Sequence, residues 1–125
     1  MILDGKATRA CNRKMRRVPE GATVETIEGL GTAANPHPLQ RAFLTYAAVQ
    51  CGFCSPGFIM SAKALLGTNP APARQEVRDW FTRNNNICRC TGYKPIIDAV
   101  TAAAAVMRGE KTMADMTGIS SASNG

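Results

Sequence analysis

The sequence predicts a mainly α protein: four helices arranged as two similar pairs about a pseudo-two-fold axis, behind a short β segment at the N-terminus. Three observations carry that prediction. From residue 35 onward apolar residues recur at helical spacing. Two stretches, CGFCSPGFIMSAKALL and CRCTGYKPIIDAVTAA, align with each other, each setting a cysteine pair just before a helix that has a Gly and a Pro near its first turn. At the other end Ile2 and Leu3, the Asp4-Gly5 pair and Ala7 to Ala10 spell strand, turn and strand, Asp-Gly being a strong hairpin signal.

Taken in order, the hairpin comes first. A lone hairpin is marginal in water, so pairing strands are expected upstream of this chain. Val24, Thr26 and Ile27 make a second extended piece that ends at Glu28-Gly29. Pro36 and Pro38 flank a helix start near residue 38, and Leu39, Ala42, Phe43, Tyr46 and Val49 give that helix one apolar face running into Gln50-Cys51. The second helix is expected after Cys54, with Ser55 as N-cap, Pro56 in its first position, Phe58, Ile59, Ala62, Leu65 and Leu66 inward, and Gly67 as its stop. The third covers about residues 73 to 83 with Val77, Trp80 and Phe81 inward, and ends in Asn84-Asn85-Asn86, whose side chains compete for backbone bonds. The fourth is expected from Thr91 as N-cap, with Pro95 in its first turn and Ile96, Ile97, Val100, Ala104 and Met107 inward. Beyond Gly109 the chain turns polar and small, as a linker or frayed tail does.

With 125 residues, 45% of them apolar, the chain can bury one core, and its polar ends predict one main domain with loose ends. No run of apolar residues is long enough to span a bilayer, and no export signal is visible, so a cytoplasmic location without membrane contact is expected. The formal charge of +6 is mostly scattered. Arg13, Lys14, Arg16 and Arg17 cluster but have no interleaved aromatic residues, which favours a solvated basic face over nucleic-acid binding. Basic surroundings also suit an anionic centre.

Four of the five cysteines form two tight pairs, C-x2-C at Cys51 and Cys54 and C-x-C at Cys88 and Cys90. A one-residue spacing strains an internal disulfide but lets both sulfurs reach a common metal. Gly52 lets the first pair turn tightly. Cysteines set just before helices aim free N–H groups and positive helix ends at the thiolates. Such a set suits an iron-sulfur cluster or a four-cysteine zinc site, and C-x-C is unusual for zinc. The zinc alternative makes the chain a stapled helical interaction module. Four structural thiols without metal is the remaining reading.

VQCGFCSPGFIMSAKALL and NNNICRCTGYKPIIDAV resemble the helical [2Fe-2S] domain of the molybdenum hydroxylases, the family of xanthine dehydrogenase, carbon monoxide dehydrogenase small subunits and aldehyde oxidoreductases. TIEGLG, HPLQ and EVRDWF look most like the single-chain bacterial aldehyde oxidoreductases. The resemblance implies a four-helix bundle holding one [2Fe-2S] cluster on Cys51, Cys54, Cys88 and Cys90, preceded by the remnant of a plant-ferredoxin-like domain. It divides the chain into that remnant and linker at 1–34, the cluster domain at 35–109, and a linker at 110–125 to a catalytic domain not in this chain. Cys11 resembles the fourth ligand of a second [2Fe-2S] cluster whose other ligands lie upstream, so that an N-terminally truncated chain is expected to build only one cluster. Gln50 and Cys90 match positions that contact the pterin of the molybdopterin cofactor. The implied function is electron transfer from that cofactor, in a partner catalytic domain or subunit, toward an external electron acceptor. The full-length protein is expected to be a homo-oligomer, either a single-chain aldehyde oxidoreductase or a complex in which this chain is the iron-sulfur small subunit.

The remaining candidates have plainer readings. His37, between two prolines, is read as a helix cap or surface residue. Trp80 and Phe81 are read as core, Met60, Met107 and Met113 show no ligand pattern, and Arg89 is either an exposed residue or a charge partner of the cluster.

Overall fold

The computed structural model of the chain describes residues 1–116. Ile2–Leu3 (β1) and Lys6–Ala7 (β2) pair antiparallel, Ile2 opposite Ala7 and Leu3 opposite Lys6. Asp4 and Gly5 between them both take positive φ, 47° and 78°, the turn whose twist matches that of its strands. Val24–Glu25 (β3) takes the other edge of β1, giving the order β2-β1-β3. On that edge the partner expected upstream comes instead from further along the chain. The helices are Pro38–Thr45 (α1), Ser55–Thr68 (α2), Arg74–Arg83 (α3) and Lys94–Met107 (α4).

Helix α1 begins where the sequence places it. His37 caps it through Nδ1, which accepts from the Leu39 amide at 3.2 Å, and Gln40 Oε1 accepts from the His37 amide at 2.9 Å. The helix ends at Thr45, short of the expected run into Cys51. Ala47 takes φ 52°, and the Ala48 amide donates back to Phe43 O at 2.9 Å, closing a left-handed C-terminal cap. The same closure ends α3 at Asn85 (φ 54°) and α4 at Gly109 (φ 79°). Only the last uses glycine, the residue that announces such a cap in a sequence.

Two other ends differ from expectation. Cys54 is the N-cap of α2, and Ser55 is its first residue, with a buried Oγ that has no partner. The helix runs past Gly67 to Thr68, whose hydroxyl donates to Leu65 O at 2.9 Å. α4 starts at Lys94 rather than after Thr91, because Gly92 and Tyr93 both stand at φ 69°, outside the helical region.

α1 lies mainly along α4, α2 meets α1, α3 and α4, and α3 also meets α4. The order of neighbours is that of a two-fold exchanging α1 with α3 and α2 with α4, but α1 packs on α4 far more extensively than α3 does on α2. The core is built from the predicted faces: Leu39, Ala42 and Phe43; Phe58, Ile59, Ala62, Leu65 and Leu66; Val77 and Phe81; Ile96, Ile97, Val100 and Ala104. Tyr46, Val49 and Trp80 are half-buried against it. Met107 is exposed instead of inward, since the buried stripe of α4 ends in Ala103, Ala104 and Ala105.

Residues near both limits of the described range join the packing. Ile2, 3% exposed, packs with Met60 and Ala64 of α2 and against Ile27, Leu30 and Trp80. Glu25 of β3 pairs with Lys63 of α2, and the Trp80 indole donates to Ser61 O at 2.9 Å. At the other end Met113 leans on the main core and Met116 is 6% exposed within it. Two methionines thus anchor residues that their polar neighbours mark as a tail. The rest of the expected tail, 117–125, lies outside the described residues.

Candidate metal centre

The four paired cysteines come from two segments that the bundle brings together. Cys51 and Cys54 sit on the turn between α1 and α2, where Gly52 takes φ 80°, and the Ser55 amide donates to Gly52 O at 3.3 Å. Cys88 and Cys90 lie on the loop between α3 and α4. The halves meet crosswise: the Cys88 thiol lies close enough to Cys54, and the Cys51 thiol to Cys90, to raise the neighbour above its ordinary value. Cys88 is buried and Cys54 half-buried, whereas Cys51 and Cys90 are exposed.

Cys88 has the richest surroundings. Its sulfur accepts from Thr91 Oγ1 at 3.2 Å and from the Thr91 amide at 3.4 Å. Its own amide donates to Tyr93 Oη at 3.1 Å. Burial pushes the Cys88 thiol up, but the Thr91 hydroxyl and the amides of Thr91 and Cys90 outweigh it and bring it to about 7. Burial, and after it the Cys88 thiol, pushes Cys54 up to about 11. The neighbouring Cys51 thiol raises Cys90. The inner pair is therefore asymmetric, the Thr91 and Cys90 donors favouring the thiolate at Cys88 and burial favouring the thiol at Cys54.

The donor set fits a two-iron cluster. All four donors are sulfur, the soft ligands that iron-sulfur centres and zinc share. Among the described residues, no three Cys, His, Asp or Glu side chains gather about one point as a single-ion site requires. The thiols meet two by two, the arrangement of a cluster in which each iron takes two of the four cysteines. The unpartnered Ser55 Oγ beside Cys54 is a buried donor of the kind cluster sulfur can accept.

Of the other predicted residues, Gln50 is exposed on the bend next to Cys51, beyond the end of α1. Cys11 is exposed on the short turn Ala10–Asn12, lining a cavity of about 490 Å³ with Arg9 and Arg83. Arg89 is exposed. His37 is the cap expected of it. Sequence reasoning missed the roles of Thr91 and Tyr93, taking the first for a helix cap and passing over the second. The helix ends also serve the site differently than expected, because α2 follows Cys54 directly while three residues separate Cys90 from α4.

The chain matches the [2Fe-2S] binding domain family over residues 26–101. It is 59% identical, over 93% of its length, to the aldehyde oxidoreductase of Megalodesulfovibrio gigas, of which it spans 13%. It is 43% identical, over 80% of its length, to the nicotine 6-hydroxylase small subunit of Paenarthrobacter nicotinovorans, of which it spans 58%. The solved structure of the Desulfovibrio gigas aldehyde oxidoreductase superposes on 93% of the chain, and 13% of its own, with a TM-score of 0.91. With a domain match over more than half its length and two cysteine pairs brought to one end of the bundle by separate loops, the chain belongs to the [2Fe-2S] binding domain family, in the form found in molybdenum hydroxylases of the aldehyde oxidoreductase and xanthine dehydrogenase type.

Proposed function

We propose that this chain carries electrons one at a time between a molybdopterin-bearing catalytic domain or subunit and an external acceptor, through a [2Fe-2S] cluster on Cys51, Cys54, Cys88 and Cys90. When bound, the cluster supplies one-electron redox chemistry. The observation that carries the reading is the polarity of the ligand set, with Cys54 and Cys88 inside and Cys51 and Cys90 at the surface. The inner pair anchors and insulates, and the outer pair opens toward a donor or acceptor. Phe53, 94% exposed next to Cys54, and Ile87, 73% exposed next to Cys88, give the same loops an apolar rim suited to a docked partner.

Gln50 and Cys90 are the proposed pterin contacts, supported by their exposure on this rim. Cys11, which lines a cavity together with Gly57 and Met60 of α2 and none of the four paired cysteines, is the proposed ligand of a second [2Fe-2S] cluster completed by upstream cysteines of a longer protein. Relatives carry the domain both inside long chains and as a small subunit, so the partner is either covalently joined or separate. The division into a β remnant, a cluster domain and a linker belongs to this reading, as do an aldehyde-type substrate, a cytoplasmic location and a homo-oligomeric holoprotein.

Anaerobic reconstitution with iron and sulfide, followed by visible absorption and EPR after dithionite, tests the reading. The wild-type chain should turn reddish-brown and show one reducible paramagnetic centre, which Cys90→Ser abolishes or alters. A colourless, EPR-silent protein holding one zinc per chain would replace it with the stapled-module reading.

A further inference from the structure

Cys88 is both donor and acceptor in a closed hydrogen-bond circuit. Its amide donates to Tyr93 Oη at 3.1 Å, the Tyr93 amide donates to Thr91 Oγ1 at 3.2 Å, and the Thr91 hydroxyl donates to Cys88 Sγ at 3.2 Å. The Thr91 amide adds a second donor to the same sulfur at 3.4 Å. This arrangement is held against the local preference of the chain. Tyr93 stands at φ 69°, which costs a bulky residue about 1–2 kcal/mol, whereas a residue preceding a helix normally stays extended. With this left-handed backbone the tyrosine reaches back over the loop to the Cys88 amide.

The ring also reaches the other ligand segment. Tyr93 lies edge-on to Phe58, centroids 6.3 Å apart, and Phe58 stands four residues after Cys54 and packs on Phe81 at 4.8 Å. One side chain therefore fixes the Cys88 peptide and braces it against the helix that follows the C-x2-C pair.

We propose that Thr91 and Tyr93 are positioning residues that set the reduction potential of the cluster, Thr91 by directing two hydrogen bonds at the Cys88 sulfur and Tyr93 by holding the loop in which they form. The proposal rests on the cluster reading above. Reduction of one ferric iron by one electron breaks no bond and adds negative charge shared with the thiolates. Donors aimed at sulfur stabilise that added charge and so raise the potential. Cys88 is the buried ligand, so water does not replace a donor lost there.

Thr91→Val keeps the shape of the side chain without its hydroxyl, Thr91→Ser keeps the hydroxyl, and Tyr93→Phe keeps the ring but not the acceptor. The full chain and each variant are reconstituted anaerobically, their iron content measured, and their midpoint potentials and reduced-state EPR recorded. Thr91→Val is expected to bind the wild-type amount of iron with a potential lower by a tenfold shift of the one-electron equilibrium, about 59 mV. Thr91→Ser should restore the wild-type value, and Tyr93→Phe should shift it in the same direction as Thr91→Val with altered g-values. A Thr91→Val protein with the wild-type potential and EPR overturns the proposal. If that variant takes up no cluster, a wild-type potential in Tyr93→Phe overturns it equally. A wild-type chain that takes up no iron defeats the cluster reading itself, and this proposal with it, before any variant is compared.

Discussion

Gly31 shows what a single residue contributes to the framework around the site. A Cβ there would stand 2.5 Å from Gln40 Oε1 and 2.7 Å from the His37 amide, the two atoms that close the start of α1. Gly31→Ala should therefore cost about 1–3 kcal/mol, read as a lower denaturant midpoint with an unchanged slope. The same cap titrates. Burial, and after it the charge of Lys63, holds the His37 imidazole below its ordinary value of 6.5, and Nδ1 accepts the Leu39 amide only when unprotonated. Between its folded and unfolded values the unfolded chain binds the extra proton, so this contribution is complete above about pH 6.5 and is lost as the pH falls below it. Urea midpoints at pH 7.5 and 5.5 should differ by more in wild type than in His37→Asn, whose amide caps a helix at both values. The expected difference is about 1 kcal/mol, the worth of an N-cap. In the sequence, the flanking prolines announce His37 as a cap. Gly31 gives no signal, because the atoms it must clear are supplied by folding.

At the scale of elements, helix interiors were legible and helix ends were not. The apolar faces of α1 to α4 follow from spacing alone, with Met107 the one residue that turns outward. The ends depend on left-handed residues that the sequence disguises: Ala47 and Asn85 do what glycine announces at Gly109. Alanine pays for that geometry, so Ala47→Gly is expected to stabilise the protein by about 0.5–1 kcal/mol, measured as a raised thermal midpoint. A lowered midpoint would mean that the methyl group packs more favourably than its backbone is strained. The start of α4 was misplaced for a related reason. Thr91 has the chemistry of a cap, but its hydroxyl is turned to the Cys88 sulfur, and the helix begins only after the two left-handed residues.

For the whole molecule, the two cysteine pairs lie on segments that the helices hold from outside. The turn after α1 faces the loop after α3 through the cysteines, and Phe58 of α2 meets Tyr93 of that loop, so a metal bound only by the folded state should act as a staple. The reconstituted chain is expected to melt at least about 4 °C above the same chain stripped of iron by a chelator, the shift that about 1 kcal/mol gives a domain of this size. Equal midpoints would show that the bundle is indifferent to its ligands. The sequence by itself determined the chemistry: two cysteine pairs, the glycine that bends the first, and helical faces that set the pairs at the ends of a bundle. Those features are local, and local spacing is enough to choose sulfur ligands and amphipathic helices. Which thiol meets which, why Cys88 alone is loaded with donors, and how Ile2 and Met116 come to lie in the packing were decided only by tertiary structure. Each depends on contacts between residues distant in the chain or on a backbone held outside its preferred region, and no local pattern encodes either.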